Sequence, residues 1–286
     1  MTELTRDGRV IAFRDLTPEA SPDAPIVLLC HAAPGSAAFD PDPETTTAAG
    51  VRLIGVDRPG YGGSAPVKDG FATIGLAADD AAAVLANLLP AGATAGVAGW
   101  SAGGRIALAL AARHPELVGR VGVIAAPAPD EEVPWYGDEN RAMVDALRGL
   151  PPADATAQLT AAFEGLLAGA GDEALLGLAG VADADTDVLT APVRDRLRAM
   201  LGSATAQGVI GMVADLAGYT LADWGFTPQQ VTADVLLAYG ADDERVPPAH
   251  GEWYRDRLPS AELQMWPDVG HLVVVPAWGR VLEHVQ

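Results

Sequence analysis

Residues 94–116 read TAGVAGWSAGGRIALALAARHPE, and the change of character at Ser101 decides the fold. Before the serine, "TAGVAGW" (94–100) is an apolar run without alternation, the pattern of a strand covered on both faces. After it, "AGGRIALALAAR" is rich in alanine and leucine, both strong helix formers. The His114-Pro115 pair ends that helix, because proline lacks an N–H and disfavours helical geometry in the residue before it. A strand that passes through small residues straight into a helix is the repeating unit of a parallel α/β sheet.

The same rhythm extends in both directions. "TRDGRVIAFRDL" (5–16) predicts a hairpin turning at Asp7-Gly8. "APIVLLC" (24–30), "GVRLIGVD" (50–57) and "GRVGVIAA" (119–126) predict further buried strands, with a helix over "TIGLAADDAAAVLANLL" (73–89). From about 128 to 226 strand signals cease. The clearest stretches there, "ENRAMVDALRGL", "ATAQLTAAFEGLLAG" and "APVRDRLRAMLG", are helical in pattern. "TADVLLAYG" (232–240) and "AELQMWP" (261–267) restore the strands, and "AWGRVLEHV" (277–285) closes with a helix. The expected architecture is therefore α/β: a mostly parallel sheet with helices on both faces, built from residues 1–127 and 227–286. Residues 128–226 form a helical insertion too long for a mere connection.

Composition narrows the functional classes. The 286 residues are 49% hydrophobic and 20% charged, as expected of one large globular core. Eighteen Lys and Arg against 38 Asp and Glu leave a net charge of −20. Such a surface repels polyanions, which argues against nucleic acid or an anionic membrane as partner. Cys30 is the only cysteine, so an intrachain disulfide and a cysteine zinc cluster are excluded. The polar start "MTELTRDGRV" and the lack of a long apolar stretch lead to the expectation of a soluble, cytoplasmic protein. The sequence does not indicate an oligomeric state.

The chemistry centres on Gly99-Trp100-Ser101-Ala102-Gly103, which fits G-x-S-x-G in its required setting between strand and helix. Flanking residues without side chains relieve the crowding of so sharp a turn. The serine oxygen is then presented beyond the carboxyl ends of the strands, where open α/β sheets place their sites. A serine hydroxyl needs a base, and the base needs an orienting acid. Of five histidines, His114 and His284 fall at helix ends and are expected at the surface. His31 is expected to shape its loop, and His250 is a weak candidate. His271, in the loop after the last strand, is the expected base. The loop "YGADDERVPP" (239–248) offers Asp242 and Asp243 as the acid, with Asp130 in reserve. Asp243 is preferred because Ser101, Asp243, His271 reproduces the nucleophile, acid, histidine order of this motif class.

Acyl transfer also needs donors for a developing oxyanion. Ala102, at the start of the helix, supplies one N–H. The second is expected in "HAAPGS" (31–36), where Pro34 cannot donate and Ala33 is preferred, with Ala32 behind it. Trp100, Trp135 and Trp224 are candidates for lining the substrate pocket.

"HAAPGS", "GVDRPGYGGSAP", "GWSAGG", "YGADDERVPPAH" and "VGHLVV", in this order and spacing, resemble the α/β-hydrolase superfamily over nearly the whole chain. The resemblance implies Ser101 as nucleophile, Asp243 as acid and His271 as base, with Ala33 and Ala102 as oxyanion donors. It implies no metal and no organic cofactor, and it makes 128–226 a cap. Members usually carry His-Gly where this chain has His31-Ala32, a departure that bears on pocket width and on the second donor. The loop 57–62 is typical of the superfamily and is expected to pack beside the site.

The implied function is a serine hydrolase acting on a small, largely apolar molecule with an ester, thioester, lactone or carbon–carbon bond to cleave. Two other readings share the sequence. One is a cofactor-free perhydrolase or acyltransferase using the same triad. The other is a catalytically silent ligand-binding protein of the same fold.

Overall fold

The computed structural model describes residues 1–134 and 137–286. It begins with the expected hairpin, β1 (Thr2–Arg6) pairing antiparallel with β2 (Arg9–Asp15). Asp7 and Gly8 both have positive φ, 51° and 75°, the turn whose twist matches a two-residue hairpin.

Strands and helices then alternate: β3 (Ile26–Cys30), α1 (Pro43–Ala49), β4 (Arg52–Val56), α2 (Ile74–Leu88), β5 (Ala95–Trp100), α3 (Ala102–Arg113) and β6 (Val118–Ile124). The α-helices α4 (Asp138–Leu147), α5 (Pro152–Leu167), α6 (Asp172–Leu178), α7 (Ala191–Ala204) and α8 (Ile210–Thr220) follow. The chain ends with β7 (Asp234–Gly240), α9 (Ala249–Arg255), β8 (Ala261–Trp266) and α10 (Trp278–Val285).

Among the described residues the strands form one sheet in the order β1-β2-β4-β3-β5-β6-β7-β8. Pairing is parallel from β4 to β8 and antiparallel at β1 and β2. The winding reverses between β3 and β5, the chain running from β3 outward to β4 and then crossing to β5 on the other side. A reversal of this kind opens a crevice at the carboxyl ends of the two strands it separates. Ser101 follows one of those strands and His31 the other.

Side-chain alternation divides the core between two faces. Leu28, Cys30, Val97 and Leu237 face α2 and α3, while Val27, Leu29, Ala98 and Leu236 face α10 and part of α7. Both faces are covered, so the central strands have no polar side and read as unbroken apolar runs. The helices between β6 and β7 carry a smaller cluster of their own, with Leu147, Leu159, Val209, Met212 and Val213 gathered around Tyr61. Tyr61 belongs to the loop expected to pack beside the site.

Candidate active site

Ser101 stands between β5 and α3 with φ 55° and ψ −124°, a conformation L-residues rarely adopt. Its N–H donates to the Ile124 carbonyl at 2.7 Å, and its own carbonyl accepts from the Gly104 N–H at 2.9 Å. Close approach explains the neighbouring glycine at 103. A Cβ there would overlap the Cys30 carbonyl at the end of β3, so the helix could not lie against that strand.

The loop after β8 brings His271 to the serine. Its Nε2 lies 3.0 Å from Ser101 Oγ, and its Nδ1 lies 2.7 Å from Asp243 Oδ2. A carboxylate only accepts, so Nδ1 carries the proton and Nε2 is left to accept from the hydroxyl. Asp243 is 3% exposed and closes a turn after β7, its Oδ1 accepting the N–H groups of Arg245 and Val246 at 2.8 Å each. Asp242 is exposed, and its backbone N–H donates to the Val269 carbonyl in the histidine loop. Asp130, the reserve acid, accepts instead from Arg141 at 3.0 Å.

Ser101, His271, Ala33 and Ala102 share the wall of one cavity of about 210 Å³. Among the described residues neither the Ala33 nor the Ala102 N–H donates to a protein acceptor. The rest of the wall is mostly apolar, with Phe163, Met212 and Leu216 from α5 and α8 among its residues.

The loop 57–62 braces this arrangement. Arg58 donates through Nη1 to the His31 carbonyl and through Nη2 to the Ala32 carbonyl at 2.8 Å. The same guanidinium pairs with Asp215 of α8 at 2.6 Å, both side chains nearly buried. His31 is shut in beneath it. Burial, then the Arg58 charge, push its imidazole well below the usual range, so it is a neutral wedge. His250 is also buried and neutral, accepting the Ala128 N–H at 3.0 Å. His114 and His284 lie at the surface with half-buried side chains, and His114 Nε2 lies 2.8 Å from Asp79.

The tryptophan expectations need correction. Trp100 does not line the cavity: as the last residue of β5 it shares a face with Ala98 and points into the core on the α10 side. There its indole N–H donates to the His271 carbonyl at 3.0 Å, so it supports the site from behind. Trp224 is absent from the wall too, stacked on Phe226 and covered by the Arg105 guanidinium 4.8 Å from its ring. Trp135 lies outside the described residues.

Sequence reasoning missed Asp215 and Tyr219, which line the cavity one helical turn apart and bond to each other at 2.9 Å. Their i, i+4 spacing in the otherwise apolar "IGMVADLAGYT" was the available signal. Among the described residues no group of three or more His, Cys, Asp or Glu is arranged to hold a metal ion. No helix among them is long and apolar enough to cross a membrane.

Comparison with known proteins adds a family. A family model described as alpha/beta hydrolase fold matches residues 25–276. A pimeloyl-[acyl-carrier protein] methyl ester esterase from Chromobacterium violaceum is 32% identical over 219 residues, covering 76% of this chain and 75% of that protein. Its namesake from Nitrosomonas europaea is 29% identical over 226 residues, covering 77% and 78%. Among solved structures, a hydrolase from Pseudomonas aeruginosa aligns with a TM-score of 0.68 at 22% identity, over 98% of this chain and 96% of that one. An esterase from a Rhodococcus species aligns with a TM-score of 0.66 at 21% identity, over 99% and 95%. At these identities the structural likeness speaks to fold alone.

Proposed function

The chain belongs to the alpha/beta hydrolase family, as an enzyme of the carboxylic ester hydrolase kind, and from that premise we propose a serine esterase acting through Ser101, His271 and Asp243. The observation carrying this function is the continuous contact from hydroxyl to imidazole to carboxylate, 3.0 Å and then 2.7 Å, opening into a cavity.

In the proposed reaction His271 Nε2 takes the Ser101 proton as Oγ attacks the ester carbonyl. The N–H groups of Ala33 and Ala102 hold the resulting oxyanion. Collapse expels the alcohol, which leaves with the proton from His271, and an acyl-serine remains. Water then attacks, giving its proton to His271. The carboxylic acid departs, and the proton returns to Ser101. Asp243 keeps the imidazole in its productive tautomer and stabilises the charged ring at each step.

The substrate class is a small, largely apolar ester. Two features support it: the mostly apolar lining of a 210 Å³ cavity, and relatives named as methyl ester esterases. Segment 128–226 is assigned the role of cap, since α5 and α8 supply part of the cavity wall that Ser101 shares.

A fluorophosphonate probe tests the reading. Wild-type protein should label and should hydrolyse p-nitrophenyl butyrate, and Ser101→Ala should lose both while keeping its circular dichroism. Folded wild-type protein that fails to label, or a Ser101→Ala variant that still turns over, overturns it.

A further inference from the structure

The cap does more to the active site than roof it. Between α6 and α7 lies a short 3-10 helix, Asp183–Asp185, whose last residue is 0% exposed. Asp185 Oδ1 accepts the N–H of Gly270 and the N–H of Leu272, each at 3.0 Å. Those are the two residues on either side of His271. Its second oxygen accepts the Ala182 N–H at 3.1 Å, so the carboxylate is tied at both ends. Among the described residues Asp185 forms no ion pair with lysine or arginine.

A second contact comes from the same segment. Gly180, with φ 94°, lies so close to the imidazole that a Cβ there would overlap Cδ2 and sit 2.8 Å from Cγ. Residues 180–185 therefore touch the histidine twice, once against the ring and once through the backbone on both sides of it.

We propose that Asp185 is a positioning residue for His271: by gripping the backbone before and after the imidazole, it holds the ring between Ser101 and Asp243. The inference rests on the triad reading above. The bond that closes this 3-10 turn is long, the Val273 N–H reaching the Gly270 carbonyl at 3.3 Å, and the Trp100 indole holds the His271 carbonyl but not the N–H groups on either side of it. One oxygen shared by two N–H groups fixes both ends of the residue that carries the base. Displacing a catalytic group by about 1 Å costs on the order of 100-fold in rate, so a clamp of this kind acts on turnover more than on substrate affinity.

The test uses Asp185→Ala and Asp185→Asn with p-nitrophenyl butyrate and the fluorophosphonate probe. An asparagine oxygen can still accept the Gly270 and Leu272 N–H groups, giving up only the Ala182 bond, whereas alanine accepts none of the three. Asp185→Ala should lower kcat on the order of 10- to 100-fold per folded molecule, with KM changed less than about threefold, and Asp185→Asn should recover most of that loss. The downfield proton resonance of His271 Nδ1–H should persist in the asparagine variant and broaden away in the alanine variant.

A folded Asp185→Ala that labels and turns over at the wild-type rate overturns the inference and leaves the triad intact. Wild-type protein that does not label overturns both. Should Asp185→Ala not fold, the asparagine variant decides. Retained turnover and resonance support the clamp, while loss of both in folded protein overturns it.

Discussion

Asp243 Oδ2 meets His271 Nδ1 at 2.7 Å, with the aspartate as a whole 3% exposed. Asp242, its neighbour in the chain, turns outward to solvent.

That difference separates two chemically equal side chains. Asp243→Asn places an amide against Nδ1–H, which favours the wrong tautomer, and should lower kcat by about 10³- to 10⁴-fold. Asp242→Asn should stay within about twofold of wild type, because exposed substitutions away from the site change little. Steady-state rates on p-nitrophenyl butyrate check both. A larger loss at Asp242 would assign the acid to the wrong residue.

Cavity size predicts acyl-chain preference. At about 210 Å³ the space falls below the roughly 300–1,000 Å³ typical of drug-sized ligands. Each buried methylene is worth about 0.8 kcal/mol, so kcat/KM should rise up to fourfold or so per carbon and then fall once the wall is reached. Leu216→Ala opens that wall and should move the optimum toward longer chains. A series of p-nitrophenyl esters from acetate to decanoate reads this directly, and an unchanged optimum would place the acyl group elsewhere.

Acid stability should depend on His250. Burial, with the Arg105 charge second, pushes its imidazole down to about 4, and it is held neutral as an acceptor for the Ala128 N–H. Between the ordinary histidine value near 6.5 and 4, the unfolded chain binds a proton that the native protein refuses. Stability therefore falls as pH drops through that window, by up to roughly 3 kcal/mol for this one group. His31, shifted the same way, adds to the loss. Burial raises Asp40, Asp80 and Asp185, which act in the opposite sense. Urea unfolding of wild type and His250→Gln at pH 7.5 and 4.5 isolates the histidine, since the wild type should lose more on acidification. Parallel losses would remove His250 from the account.

Much of the fold was legible because its signals are local. The Asp7-Gly8 turn, the apolar runs of β3, β5 and β7, and the proline that stops α3 each depend on a few consecutive residues. Ser101 was legible for the same reason, since its turn is built from its immediate neighbours. The insertion was visible as a loss of strand pattern, but which of its side chains reach the cavity was not.

What the sequence by itself determined is the strand–turn–helix grammar, the family, and the order of serine, aspartate and histidine along the chain. The tertiary structure alone put Asp243 rather than Asp242 against His271, turned Trp100 away from the cavity, and set Asp185 against the backbone on either side of His271, 85 and 87 positions later. Periodicity and turn chemistry are written in neighbouring residues. Contacts between distant segments depend instead on how the helices between β6 and β7 fold back over the sheet, and no short stretch of sequence encodes that.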